Sequence, residues 1–155
     1  MPAIATTIRS IMQASAPVML LLSAPFLTAS ASAPITWNPD DPELEWGPCP
    51  DFMPEGCGLA VLQGDPAANN ADVLFRLPGN SVAPHHWHTS AERMVLVQGE
   101  MRIDFDGHDP VVLRVGTYAY GPAGLPHVAE CLSEEPCLLF IAFEQPVDAI
   151  EVGDR

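Results

Sequence analysis

This 155-residue chain contains no lysine; its six basic residues are all arginine, against 20 acidic ones, for a formal net charge of −14. The missing amine excludes Schiff-base chemistry on a lysine. So little positive charge argues against nucleic acid or an anionic membrane surface as a partner, because long-range electrostatics would repel both. The plain consequence of the acidity is solubility. No long hydrophobic run is present either. The longest, Val18 to Leu27, is interrupted by Ser23 and Pro25 and falls well short of the ~20 apolar residues of a membrane-spanning helix. Stable membrane insertion is therefore not expected. Helical periodicity is missing throughout, which leaves the β class.

What is present begins with a leader. Arg9 is the only charge before Asp40, and Thr28-Ala29-Ser30-Ala31-Ser32-Ala33-Pro34 follows the apolar run. One positive charge, a short apolar stretch and an A-x-A ending describe a secretory signal peptide. Cleavage near Ala31 is expected, because a cut after Ala33 would leave Pro34 directly behind it. No twin arginine occurs, which favours export of the unfolded chain. The resulting organisation is a signal peptide over 1–31, a Pro-rich acidic arm over 32–58, a β domain over 59–145 and a tail over 146–155. Periplasmic or secreted localisation follows. The arm holds Trp37-Asn38-Pro39-Asp40-Asp41-Pro42 and Trp46-Gly47-Pro48-Cys49-Pro50. Such a stretch cannot be helical and reads as extended chain.

From Leu59 the pattern is β throughout. Short apolar or alternating runs fall at Leu59–Leu62, Val73–Leu77, Met94–Val97, Met101–Phe105, Val111–Val115, Tyr118–Tyr120, Val128–Leu132 and Leu138–Phe143, with Gly and Pro between them. Many short strands at this spacing indicate a sandwich or barrel. Met94–Val97 and Met101–Phe105 read as a hairpin pair around Gln98-Gly99. Past Phe143 the acidic tail reads as an irregular cap or a frayed end. One domain of this length is long enough to bury a core.

The chemistry concentrates in Pro84-His85-His86-Trp87-His88-Thr89-Ser90-Ala91-Glu92. A strand sends residues i and i+2 to one face, so His86 and His88 stand side by side about 6.6 Å apart at the backbone while His85 and Trp87 face away. Two such imidazoles can lean onto one ion at metal–nitrogen distances of about 2.0–2.1 Å. Glu92 would be out of reach on a straight strand, but Thr89-Ser90-Ala91 can turn and bring it back. Pro122-Ala123-Gly124-Leu125-Pro126-His127 is a tight turn opening onto an apolar strand, which offers His127 as a fourth ligand. His108 sits in the hydrophilic turn Asp106-Gly107-His108-Asp109 and reads as solvated.

Here the chain resembles a family. Gly79-x6-His86-x-His88-x3-Glu92-x6-Gly99 is similar to the first motif of the cupins, with one residue more than usual between the glycine and the first ligand. Gly116-x5-Pro122-x-Gly124-x2-His127-x3-Cys131 resembles the second, with cysteine where asparagine is frequent. The resemblance covers roughly Leu59 to Phe143. It implies an all-β double-stranded β-helix, or jelly-roll barrel, with the metal held by His86, His88, Glu92 and His127. It also implies that the arm lies against a sheet, sometimes a partner's, and that a homodimer forms through the arm or an edge strand.

Three imidazoles and a carboxylate suit a divalent transition metal (Fe, Mn, Cu, Zn or Ni) better than an ion that takes only oxygen ligands. Loading outside the cytoplasm would favour Cu and Zn. Beyond the ligands no second catalytic group stands out. Arg93 and Arg102 read as surface residues, and Tyr118 and Tyr120 as core packing. Met94, Leu96, Phe105, Phe140 and Phe143 are expected to line an apolar interior of the kind that takes small organic molecules. Four cysteines in an exported chain are expected to pair. Of three possible pairings, the two local ones, Cys49–Cys57 and Cys131–Cys137, are favoured. Joined to the leader, the resemblance implies an exported metal enzyme, oxygenase-like rather than an isomerase or lyase, acting on a small organic ligand. A non-catalytic ligand-binding or sensor module is the alternative, and a metal store a third reading.

Overall fold

The structure, a computed structural model, describes residues 33–153; the expected leader over 1–31 lies outside them. The strands are β1 (Trp46–Pro48), β2 (Gly58–Gln63), β3 (Ala71–Leu77), β4 (Val82–Trp87), β5 (Glu92–Gln98), β6 (Glu100–Phe105), β7 (Val111–Arg114), β8 (Tyr118–Gly121), β9 (His127–Cys131), β10 (Cys137–Phe143) and β11 (Ile150–Glu151). They form two antiparallel sheets, one ordered β1-β2-β3-β10-β5-β8 and the other β11-β4-β9-β6-β7. This is the expected all-β jelly roll. Among the described residues no helix is long and apolar enough to cross a membrane.

Alternation on each strand sends one set of residues between the sheets. From the larger sheet come Val73 and Leu77 of β3, Leu139, Ile141 and Phe143 of β10, and Met94 and Leu96 of β5; from the smaller come Ala83, Met101, Ile103, Leu113, Ala129 and Cys131. The pairing registers divide this interior lengthwise. Cys137 faces Leu77 and Met101 faces Cys131 at one end, whereas Phe143 faces Glu92 and Phe105 faces His127 at the other. The first end is packed shut by Leu77, Leu96 and Met101, all fully buried. The second end is open and holds the polar groups.

Three expectations are corrected. Met94–Val97 and Met101–Phe105 are not a hairpin: β5 pairs with β10 and β8, and β6 with β7 and β9, in different sheets. Gly99, at φ 85°, turns the chain from one sheet into the other, so the hairpin lies instead between β6 and β7. Tyr118 and Tyr120 are 59% and 52% exposed rather than in the core. They lie on edge strand β8, whose inward places belong to Ala119 and Gly121. Phe140 points away from the interior because Leu139 and Ile141 hold the inward parity of β10. It packs in an outer cluster with Leu44, Ala60 and Leu74.

That outer cluster is where the arm lies. Leu44 is buried there with Trp46 beside it, β1 pairs with β2, and Arg76 stacks over the Trp46 ring at 4.3 Å. Cys49–Cys57 and Cys131–Cys137 are both bridged, each with Cα atoms 5.7 Å apart. Within the described residues, up to 153, the tail caps rather than frays. Val147 N–H donates to the Pro66 carbonyl and Val152 N–H to the His85 carbonyl, and β11 pairs with β4.

Candidate metal centre

The ladder between β4 and β9 slips between Ala83 and His86. A bulge of this kind lets an additional residue pass while re-aiming the side chains that follow. Ala83 and His86, three apart, consequently both face the interior, and Pro84-His85 is the stretch that absorbs the additional residue noted before His86. His85 turns outward, as expected, and pairs with Asp106 at 3.0 Å. His88 lies just beyond β4 and Glu92 opens β5. Between them the buried Ser90 hydroxyl accepts from the Glu144 and Gln145 amides at 2.9 and 3.1 Å, which fixes the turn.

His86, His88 and His127 are brought together: one ring nitrogen of each lies within 4.8 Å of the others, and all three residues are buried. Glu92 joins them, with its carboxylate 3.4 Å from His88 Nε2 and 3.9 Å from His127 Nε2. Two ligand atoms each about 2.1 Å from a common ion stand roughly 3.0–3.4 Å apart at angles of about 90–109°. The His88–Glu92 spacing already matches that figure. Gly121 sits opposite Glu92 on β8, and a Cβ there would come 3.2 Å from Glu92 Oε2. The missing side chain makes room for the carboxylate.

The orientation of the rings carries more information than their proximity. His86 Nδ1 lies 2.6 Å from the Pro84 carbonyl and His127 Nδ1 3.2 Å from that of Leu125, while His88 Nδ1 bonds the Asp148 carbonyl. A carbonyl can only accept, so each Nδ1 carries the proton and each Nε2 keeps a free lone pair. This is the arrangement that backbone acceptors impose on metal-binding histidines. Burial lowers His86 to about 4 against the supporting Pro84 bond, with His88 and His85 adding to the lowering. Burial, then the charge of His86, lowers His127 to about 3. Both rings are thus neutral at physiological pH and able to ligate. Burial raises the Glu92 pKa, opposed by His88 and reinforced by Asp148.

Above the centre lies a cavity of about 250 Å³ walled by Met53, Leu59, Phe75, Ile103, Leu139, Ile141 and Phe143 among others, with Pro48, Cys49, Val147 and Asp148 also lining it. Arm and tail therefore both border it. Of the residues expected in the wall, Met94 and Phe143 line it, Phe105 packs against the His127 ring at 5.3 Å between centroids, and Leu96 belongs to the closed end. Arg93 pairs with Glu144, and Arg102 with Asp104 and Glu130, away from the site as expected.

Residues 38–147 match the model of the ChrR cupin-like domain. The chain belongs to this cupin family. Among solved structures, the ChrR cupin-like chain is similar to the DMSP lyase DddQ from Ruegeria pomeroyi (18% identity, TM-score 0.61, covering 72% of this chain and 64% of that one). It is likewise similar to the S161A mutant of Bacillus subtilis oxalate decarboxylase (18% identity, TM-score 0.55, covering 64% and 29%). A third is KdgF from a Halomonas species (17% identity, TM-score 0.54, covering 67% and 89%). The chain thus spans just under two thirds of the lyase's length and less than a third of the decarboxylase's. At these identities the likeness concerns the fold. No curated protein matches the sequence.

Proposed function

We propose that this cupin is an exported metal-dependent enzyme, oxygenase-like in its chemistry, that binds one small organic molecule at a centre formed by His86, His88, His127 and Glu92. The observation carrying the reading is that all three imidazoles have Nδ1 committed to a backbone carbonyl, leaving three Nε2 lone pairs converging beside a buried carboxylate. A divalent transition ion fits such a donor set, with Fe, Mn, Cu, Zn and Ni as candidates. When bound, it would supply Lewis-acid polarisation of a ligand in the cavity. Titration of the chelated protein with each metal should give one tight equivalent. H86A, H88A and H127A should each weaken it at least tenfold, and a triple variant retaining a full equivalent would refute the reading. Export is supported by the two bridges, which persist in oxidising compartments.

A second reading, a ligand-responsive module without turnover, is favoured by one feature of the wall. Apart from the four proposed ligands, Asp148 is the only titratable side chain among the described residues that lines the cavity, and its carboxylate already accepts from the Thr89 amide and hydroxyl at 2.9 and 2.7 Å. Oxygen consumption and substrate loss across a small-molecule panel, measured on each metal form, separate the two. Flat traces accompanied by ligand-induced thermal shifts select the module.

A further inference from the structure

Resting on the proposed metal centre, we infer that the ligand is a monoanion with a single oxygen head group on the metal side and a wholly apolar body, about the size of a small ring or a chain of roughly six carbons. The inference comes from what the cavity wall offers. Its residues are proline, aliphatic, methionine, phenylalanine and a disulfide cysteine, interrupted only by His86, His88, His127, Glu92 and Asp148. Among the described residues no hydroxyl, amide or cationic side chain lines it.

The described arginines are all engaged elsewhere. Arg76 stacks on Trp46, Arg93 pairs with Glu144, Arg102 with Asp104 and Glu130, and Arg114 with Glu100. A second negative charge on a ligand would therefore be buried without a counter-ion among the described residues, which the interior strongly disfavours. Apart from the proposed ligands, a second polar group would find one side-chain partner among the described residues, the Asp148 carboxylate, which already accepts from Thr89.

Charge balance at the head points the same way. A divalent ion with three neutral imidazoles and one carboxylate carries a net charge of about +1. One anionic oxygen group neutralises the charge of that ligand set; a dianion adds further negative charge to a wall that already carries the Asp148 carboxylate. The wall then sets the body. A cavity of about 250 Å³ exceeds the ~150 Å³ of an apolar cavity that binds benzene, so the ligand body is of ring size or slightly larger.

The test uses the full-length protein loaded with zinc, its metal content measured in the same samples, and isothermal titration with acetate, butyrate, hexanoate, benzoate and adipate. Affinity should rise about three- to fourfold per methylene from acetate to hexanoate, and adipate should bind at least tenfold more weakly than hexanoate. L59A, which widens the wall at a half-buried position, should move the optimum to a longer chain while leaving metal content unchanged. Full zinc occupancy with no chain-length dependence, or with adipate equal to hexanoate, overturns the inference and leaves the metal reading standing. Failure to hold zinc overturns the metal reading, and the inference with it.

Discussion

Lowering the pH of the metal-free protein from 7.5 to 5 should cost it much of its stability. His86 and His127 are held at about 4 and about 3 in the fold, whereas in the unfolded chain each returns to about 6.5. Between those limits the unfolded state takes up protons that the folded state refuses. The contribution is therefore intact above about pH 6.5 and is lost as pH falls toward the folded values. At pH 5, about 1.5 units below the unfolded value and at about 1.4 kcal/mol per unit, the two rings together remove about 4 kcal/mol. That is a large share of the ~5–15 kcal/mol of an ordinary domain. Glu92 acts with the opposite sign. Its raised pKa means the folded state gains the proton first, so acidification through that value adds stability that is lost as pH rises. The assay is urea unfolding in the presence of EDTA across this range, on wild type, E92Q and H127Q. E92Q should steepen the fall and H127Q should remove roughly half of it. A flat wild-type profile, or one that H127Q leaves unchanged, would refute the account of neutral rings buried in the interior.

Gly121→Ala should displace the Glu92 carboxylate and weaken metal binding about tenfold, with urea stability reduced by no more than ~1–3 kcal/mol; metal titration against urea unfolding checks the separation. Asp148→Ala releases the Thr89 contacts that hold the Asp148 carbonyl under His88, and metal affinity should fall about 10- to 100-fold. Reducing both disulfides, which close loops with sequence separations of 8 and 6, should cost about 2–2.5 kcal/mol each. In calorimetry the melting temperature should drop by about 10–20 °C.

Much of the candidate centre was legible because its residues carry side-chain chemistry at informative spacings. His86 and His88 follow from strand parity, His127 from a turn opening onto a strand, and both bridges from short cysteine loops. The parts that were not legible depend on backbone or on distant pairing. The carbonyls of Pro84, Leu125 and Asp148 orient the rings, yet any residue type supplies a carbonyl. Gly121 is informative only once β8 is known to lie beside Glu92. Tyr118 and Tyr120 alternate as core residues would, and only the position of β8 at a sheet edge decides that they face out. The hairpin assigned around Gly99 failed for a related reason: a glycine at positive φ serves a turn within one sheet and a corner between two equally well.

The tail illustrates how a segment without hydrophobic pattern becomes part of a site. Val147 and Val152 donate backbone bonds to Pro66 and His85, and these anchor the chain on either side of Asp148. Between the anchors the Asp148 carbonyl meets His88 Nδ1 while its carboxylate holds Thr89, the residue that follows His88. His88 is therefore fixed directly through its ring, and indirectly through its neighbour Thr89, by one residue sixty positions away. An ion drawing charge from Nε2 makes the Nδ1 proton more acidic and its bond to the carbonyl stronger. By linkage, whatever a bound ion would add to that bond, the docked tail would add to the ion's affinity. In the proposed centre the described part of the C-terminal segment would thus contribute to ion affinity, although it supplies no ligand.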